Sequence, residues 1–148
     1  MKLTVEQADL AEPEIIIRGN LADPEVSHLV SILGSPRTVS RLFLYQDEKE
    51  YLCSISDILY FEAMGGKVYA HTRQQVLETK NKLYELADML SGSSFVQISK
   101  STIVNVSFVQ SIEPEFSGNY TASLHNHETL TISRKYFKPF RNYIMKEL

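Results

Sequence analysis

Along most of this chain, apolar and polar residues fall in the short runs expected of β-strands, and helical spacing occurs in few places. R-L-F-L-Y (residues 41–45) and Y-L-C-S-I (51–55) flank an acidic turn, Q-D-E-K-E. D-I-L-Y-F-E (57–62) is a compact apolar run. K-V-Y-A-H-T (67–72) follows Gly65-Gly66, a turn whose missing Cβ atoms permit left-handed backbone. A strand near Val76–Glu78 leads into a helix from about Lys80 to Leu90, with Leu83, Leu86, Ala87 and Leu90 inward. Beyond S-G-S-S come F-V-Q-I, F-V-Q-S-I-E, Y-T-A-S-L and T-L-T-I-S, the last two joined across His125–Glu128. From Arg134 the pattern predicts a short terminal helix interrupted at Pro139. Many short strands and few helices predict a mainly β fold, either a sandwich or a stack of small antiparallel sheets.

The first 40 residues read as a separate strand-strand-helix module. K-L-T-V-E alternates as a strand does, and E-I-I-I-R is a β-branched run. In D-P-E-V-S-H-L-V-S-I-L-G-S-P, Asp23 suits an N-cap and Pro24 the first helical position. Val26, Leu29, Val30 and Leu33 form one apolar stripe, and Gly34 and Pro36 end the helix. The stripe either covers the module's own sheet or forms a dimer seam, because so short a module buries little surface.

Composition narrows the class. A chain of 148 residues, 43% hydrophobic, can bury a core. It has no apolar run long enough to span a membrane. The acids in M-K-L-T-V-E-Q-A-D-L argue against a secretion signal, so a cytoplasmic location is expected. The lone Cys53 excludes an internal disulfide. The net charge of −3 argues weakly against nucleic acid, but its distribution matters more. Residues 134–146 hold five basic residues and no acid, a basic end on an acidic body.

Candidate chemistry is sparse. His125 and His127 sit in H-N-H-E, where a solvated hairpin turn is expected, and nothing nearby completes a metal site. His28 and His71 read as solvated or structural, and Cys53 as a half-buried packing residue. Ser99-Lys100-Ser101-Thr102 has the wrong order for an S-x-x-K acyl-transfer motif. Met64-Gly65-Gly66-Lys67 lacks the spacing of a phosphate loop. No nucleophile–base pair can be named, so neither an enzyme nor a cofactor, metal or small-molecule substrate is expected. What remains is basic residues beside turns: Lys67, Lys100 and the pair Arg134-Lys135. Each reads as an ordinary solvated charge or as part of a loop surface that meets DNA.

F-V-Q-I-S-K-S-T-I-V-N-V-S-F-V-Q-S-I-E, followed by G-N-Y-T-A-S-L-H-N-H-E-T-L-T-I-S-R-K-Y, resembles the core of the LytTR DNA-binding domain of bacterial transcription regulators. D-I-L-Y-F-E-A-M-G-G-K-V-Y and K-L-Y-E-L-A-D-M-L are similar to its first half, in order. The resemblance covers about residues 41–148. It implies an elongated stack of small antiparallel sheets whose loops enter successive major grooves of double-stranded DNA. Carried over by position, the first reading loop falls on Gly66 and Lys67. The second falls on Ser99, Lys100 and Ser101, and the third on Arg134, with Lys135 adjacent. Lys100, without an acid nearby in sequence, would find its partner in a phosphate or base edge, and the serine hydroxyls would bond backbone phosphates.

Gln97 stands where many members have Arg, Asn126-His127 replaces Asn-Gly, and S-K-S resembles a subgroup of short, stand-alone regulators. Forty leading residues are too few for a receiver domain of about 120 residues, so neither Asp9 nor Asp23 is expected to accept a phosphoryl group. Genes of short members often accompany a small membrane protein, and the resemblance implies such a protein, restraining the regulator, as a partner here. The leading module is expected to make a homodimer. The competing reading is a β-rich module that binds protein or peptide through a sheet edge.

Overall fold

A computed structural model describes residues 1–34 and 39–146. The chain divides into two units, Met1–Arg37 and Thr38–Leu148.

In the first unit the helix α1 forms over Pro24–Gly34. Asp23 is its cap: the carboxylate accepts the Glu25 N–H at 2.9 Å, and the Asp23 carbonyl accepts the Ser27 N–H at 3.1 Å. Asn20 shapes the approach by accepting the Ala22 N–H with its side chain at 2.9 Å. The two expected strands do not form. Among the described residues K-L-T-V-E and E-I-I-I-R have no ladder partner, and Leu3, Val5, Ile15 and Ile16 are all exposed. Alternation makes a strand only where another strand takes its backbone groups, and two isolated runs are too few. The helical stripe is partly covered at Val26 and Leu29 and open at Val30 and Leu33; Pro36 lies outside the described residues.

The second unit is mainly β. Its first seven strands are β1 (Arg41–Gln46), β2 (Lys49–Ser54), β3 (Ile58–Met64), β4 (Lys67–Thr72), β5 (Val76–Thr79), β6 (Phe95–Gln97) and β7 (Thr102–Asn105). They form one antiparallel sheet in the order β2-β1-β5-β4-β3-β7-β6. A second sheet, β10-β9-β8, joins β8 (Val109–Pro114), β9 (Tyr120–Leu124) and β10 (Thr129–Ile132). The helix α2 covers Leu83–Met89, and α3 covers Arg134–Lys146.

The run I-L-Y-F in β3 is apolar throughout because both faces of the strand are covered. Ile58 and Phe61 join a core with Leu44, Leu77, Leu86 and Ile103 beneath α2. Leu59 and Tyr60 join a second core with Val104, Leu124, Ile132 and Phe140. A break in register between Ile58 and Tyr60 lets two successive residues share a face. Buried Asn105 ties the layers together. Its Nδ2 donates to the Ile58 carbonyl at 3.0 Å, and its Oδ1 accepts from Ser94 Oγ at 2.8 Å and the Ser107 N–H at 3.1 Å.

Two helix boundaries differ from expectation. α2 begins at Leu83 rather than Lys80, because the Thr79 hydroxyl accepts the Asn81 N–H at 3.1 Å and Lys82 is still extended. α3 runs through Pro139 without a break. A proline inside a helix costs about 3 kcal/mol, which packing offsets here: Phe140 is fully buried, and Phe137 stacks on Tyr120 with ring centroids 3.5 Å apart.

Candidate nucleic-acid interface

The three basic turns all lie in the larger unit. The first is the tip of the β3–β4 hairpin. Gly65 and Gly66 both have positive φ, 61° and 81°, the conformation a two-residue hairpin turn requires. Lys67 follows, paired in register with Met64. Its ammonium lies 3.7 Å from Glu78 Oε2, but both side chains are largely exposed. Such a pair contributes roughly 0–1 kcal/mol and is screened by salt.

The second turn joins β6 to β7. It closes on itself through the Ile98 N–H to the Thr102 carbonyl at 3.0 Å and the Ser101 N–H to Ser99 Oγ at 3.2 Å. Gln97, where many members of the resembling family carry Arg, donates its side-chain amide to the Ser99 carbonyl at 2.9 Å and braces the loop. The serines therefore shape the turn. Lys100 stands at its tip, exposed, with no carboxylate within ion-pair distance among the described residues.

The third turn begins α3. The Ser133 N–H donates to the Ile98 carbonyl at 2.8 Å, and the Arg134 N–H to Asn119 Oδ1 at 3.0 Å. The Arg134 stem lies over Gly118, where an added Cβ would come within 3.3 Å of it. Arg134 and Lys135 are both exposed at the positive end of the helix dipole.

Backbone hydrogen bonds hold these turns side by side. Ala63 N–H donates to the Ser101 carbonyl at 2.8 Å, linking the first hairpin to the second turn, and the Ser133–Ile98 bond links the second to the third. Gly66 and Lys67 from the first turn and Lys100 from the second also border one concavity of about 490 Å³, together with Lys82 and Tyr84. The sequence reading missed Lys82, Tyr84, Asn119 and Gly118. Asn119 lies fifteen residues before Arg134 in the chain, and no spacing rule joins them.

His71, Tyr60 and Cys53 lie outside these turns. The ring of His71 stacks on Tyr60 with centroids 4.1 Å apart, and its Nε2 lies 3.8 Å from Glu62. Burial lowers its pKa below the usual 6.5, against the opposing pull of Glu62 and Glu128. Burial, and then Glu128, raises the Tyr60 hydroxyl. Burial and Asp57 raise the Cys53 thiol, which makes it a poor nucleophile. His125 and His127 are exposed in the β9–β10 turn.

The lowered His71 value has a sign. The unfolded chain binds the proton more readily, so the neutral ring's contribution is fully present above 6.5 and is lost as pH falls through the folded-state value. Thermal melts should show stability declining on acidification from 6.5, and His71→Phe, which keeps the stack on Tyr60, should flatten that part of the curve. Equal pH dependence in both proteins would remove His71 as the source.

The model of the LytTr DNA-binding domain family matches residues 48–145. Over 115 residues the chain is 29% identical to the sensory transduction protein LytT of Bacillus cereus, covering 76% of this chain and 47% of that protein. It is 30% identical over 98 residues to the sensory transduction protein LytR of Staphylococcus epidermidis, covering 66% of this chain and 39% of that one. The chain thus spans less than half the length of these two relatives. An HTH-type transcriptional regulator of Staphylococcus aureus is 31% identical over 117 residues, 77% of this chain and 79% of the relative. Among solved structures, a LytTr DNA-binding domain from Bacillus cereus superposes with a TM-score of 0.68 at 26% identity, covering 72% of this chain and 97% of that one. In the present chain β1 to β5 lie between α1 and α2, and β6 to β10 between α2 and α3, so among the described residues no two consecutive α-helices are joined by a turn alone.

Proposed function

Because this chain belongs to the LytTR family of DNA-binding domains, we propose that it is a transcription regulator that reads the major grooves of double-stranded DNA. Gly66-Lys67, Ser99-Lys100-Ser101 and Arg134-Lys135 supply the contacts. The observation that carries this reading is the pair of backbone bonds, Ala63 to Ser101 and Ser133 to Ile98, that sets three basic turns next to one another. A rigid sheet supporting cationic turns suits the duplex, because phosphate contacts fix position and base-edge contacts supply sequence preference.

The Met1–Arg37 unit is proposed to pair with its twin. No residue of α1 is buried, and Ile15, Ile16, Leu21, Val30 and Leu33 are exposed. Apolar surface of this kind favours association. A second copy would place two DNA-binding domains on tandem half-sites and raise the effective concentration of the second contact. The proposed partners are therefore duplex DNA, a second copy and, from the likeness to short family members, a membrane protein that restrains the regulator; the proposed location is the cytoplasm. Among the described residues no helix is long and apolar enough to cross a membrane.

Selecting bound duplexes from a randomised pool tests the reading. Enrichment of one motif, repeated in tandem, is expected, and even recovery across the pool would contradict it. Light scattering that finds a monomer at high concentration, on and off DNA, would remove the dimer alone.

A further inference from the structure

The concavity beside the Gly65-Gly66 turn is walled by three lysines from three different elements. Lys67 begins β4, Lys100 tips the β6–β7 turn, and Lys82 immediately precedes α2. Two of these three charges have no local counter-charge among the described residues. Lys67 alone has a carboxylate at ion-pair distance, Glu78, and that pair is exposed. Lys82 and Lys100 have none among the described residues. The acid nearest to Lys82 on the helix, Glu85, turns one oxygen back to accept the Lys82 backbone N–H at 3.0 Å. That bond fixes the entry of α2 and leaves the ammonium outside it.

Three ammonium groups around one concavity repel each other unless an anion sits between them. The lining is otherwise small or uncharged: the two glycines hold no side chain over it, and the exposed Tyr84 ring stands at its margin. The volume, about 490 Å³, admits a phosphodiester with water.

We propose that Lys82 completes, with Lys67 and Lys100, a seat for one backbone phosphate of the bound duplex, so that the start of α2 belongs to the DNA interface. This inference rests on the DNA-binding reading and deepens it. Lys67 and Lys100 lie on turns already assigned to DNA; Lys82 lies on neither. Its role is positional: a point charge on a flexible stem neutralises phosphate and reads no base. The seat sets the distance between the first two turns and the strand they follow.

The test is the salt dependence of binding to a mixed-sequence duplex about three helical turns long, which needs no knowledge of the operator. Full-length wild type, Lys82→Ala and Lys82→Gln are titrated at several salt concentrations, with melts to establish that each is folded. Both variants should bind more weakly than wild type by the same factor on mixed and selected duplexes, and the slope of log affinity against log salt should fall by about one. Lys82→Gln keeps most of the apolar stem, so a matching loss there assigns the effect to charge rather than packing. Wild-type affinity and slope in both variants would overturn the seat and leave the DNA-binding reading standing. Wild type that binds no duplex would overturn both.

Discussion

Arg134→Ala should weaken binding to the selected DNA site by ~1–3 kcal/mol, roughly 5- to 150-fold, with a much smaller loss on mixed-sequence DNA. Lys100→Ala should weaken both by the same factor and lower the salt slope by about one. The contrast follows from how the two side chains are held. The Arg134 backbone is pinned by Asn119, and its stem lies over Gly118, so a planar, five-donor fork is presented with little freedom. Lys100 stands at the tip of a turn, and among the described residues no carboxylate lies within ion-pair distance of its ammonium. A pre-oriented fork suits the two acceptors of a guanine edge, and a mobile point charge suits phosphate. Both residues are exposed, so melting curves should stay close to wild type. Unchanged affinity in both variants would remove these turns from the interface.

Leu86→Ala should destabilise the larger unit by ~2–5 kcal/mol, the cost of deleting a fully buried leucine. Leu86 is 0% exposed and lies in the core with Phe61, Leu77, Leu90 and Ile103. Phe61, Leu77 and Ile103 are strand residues fixed by ladder bonds, which limits how far the site can collapse around the missing methyl groups. Tyr84, two residues away on the outer face, is 76% exposed, and Tyr84→Ala should change stability by no more than about 0.5 kcal/mol. Denaturant melts of the two variants measure the difference. A Leu86→Ala midpoint equal to wild type would mean that α2 does not pack as described.

Legibility followed the range of the interactions. β4 and β9 occupy the stretches read from the sequence, K-V-Y-A-H-T and Y-T-A-S-L, because their turns are marked locally by Gly65-Gly66 and by His125–Glu128. The inward set of α2 was legible from spacing, and Leu83, Leu86 and Leu90 are buried. The leading strands were misread because alternation says nothing about whether a partner strand exists. Pro139 was read as an interruption because its cost is local, whereas the packing of Phe137 and Phe140 that offsets it is not. The same division runs through the proposed site. Lys67, Lys100 and Arg134 were visible beside their turns and through resemblance. Lys82 and Asn119 reach them only through folding, one across a concavity and one across fifteen residues.

On the proposed reading, three turns and the start of α2 form one DNA-reading surface. Backbone amide shifts of the isotopically labelled protein, followed by NMR as the selected duplex is added, test it most directly. The largest changes should fall on Gly66, Lys67, Lys82, Ser99 to Ser101, Arg134 and Lys135, with the edge strand β2 unmoved. Changes confined to β2 or to the outer edge of the small sheet, with those turns silent, would contradict it and favour a surface that binds through a strand edge instead.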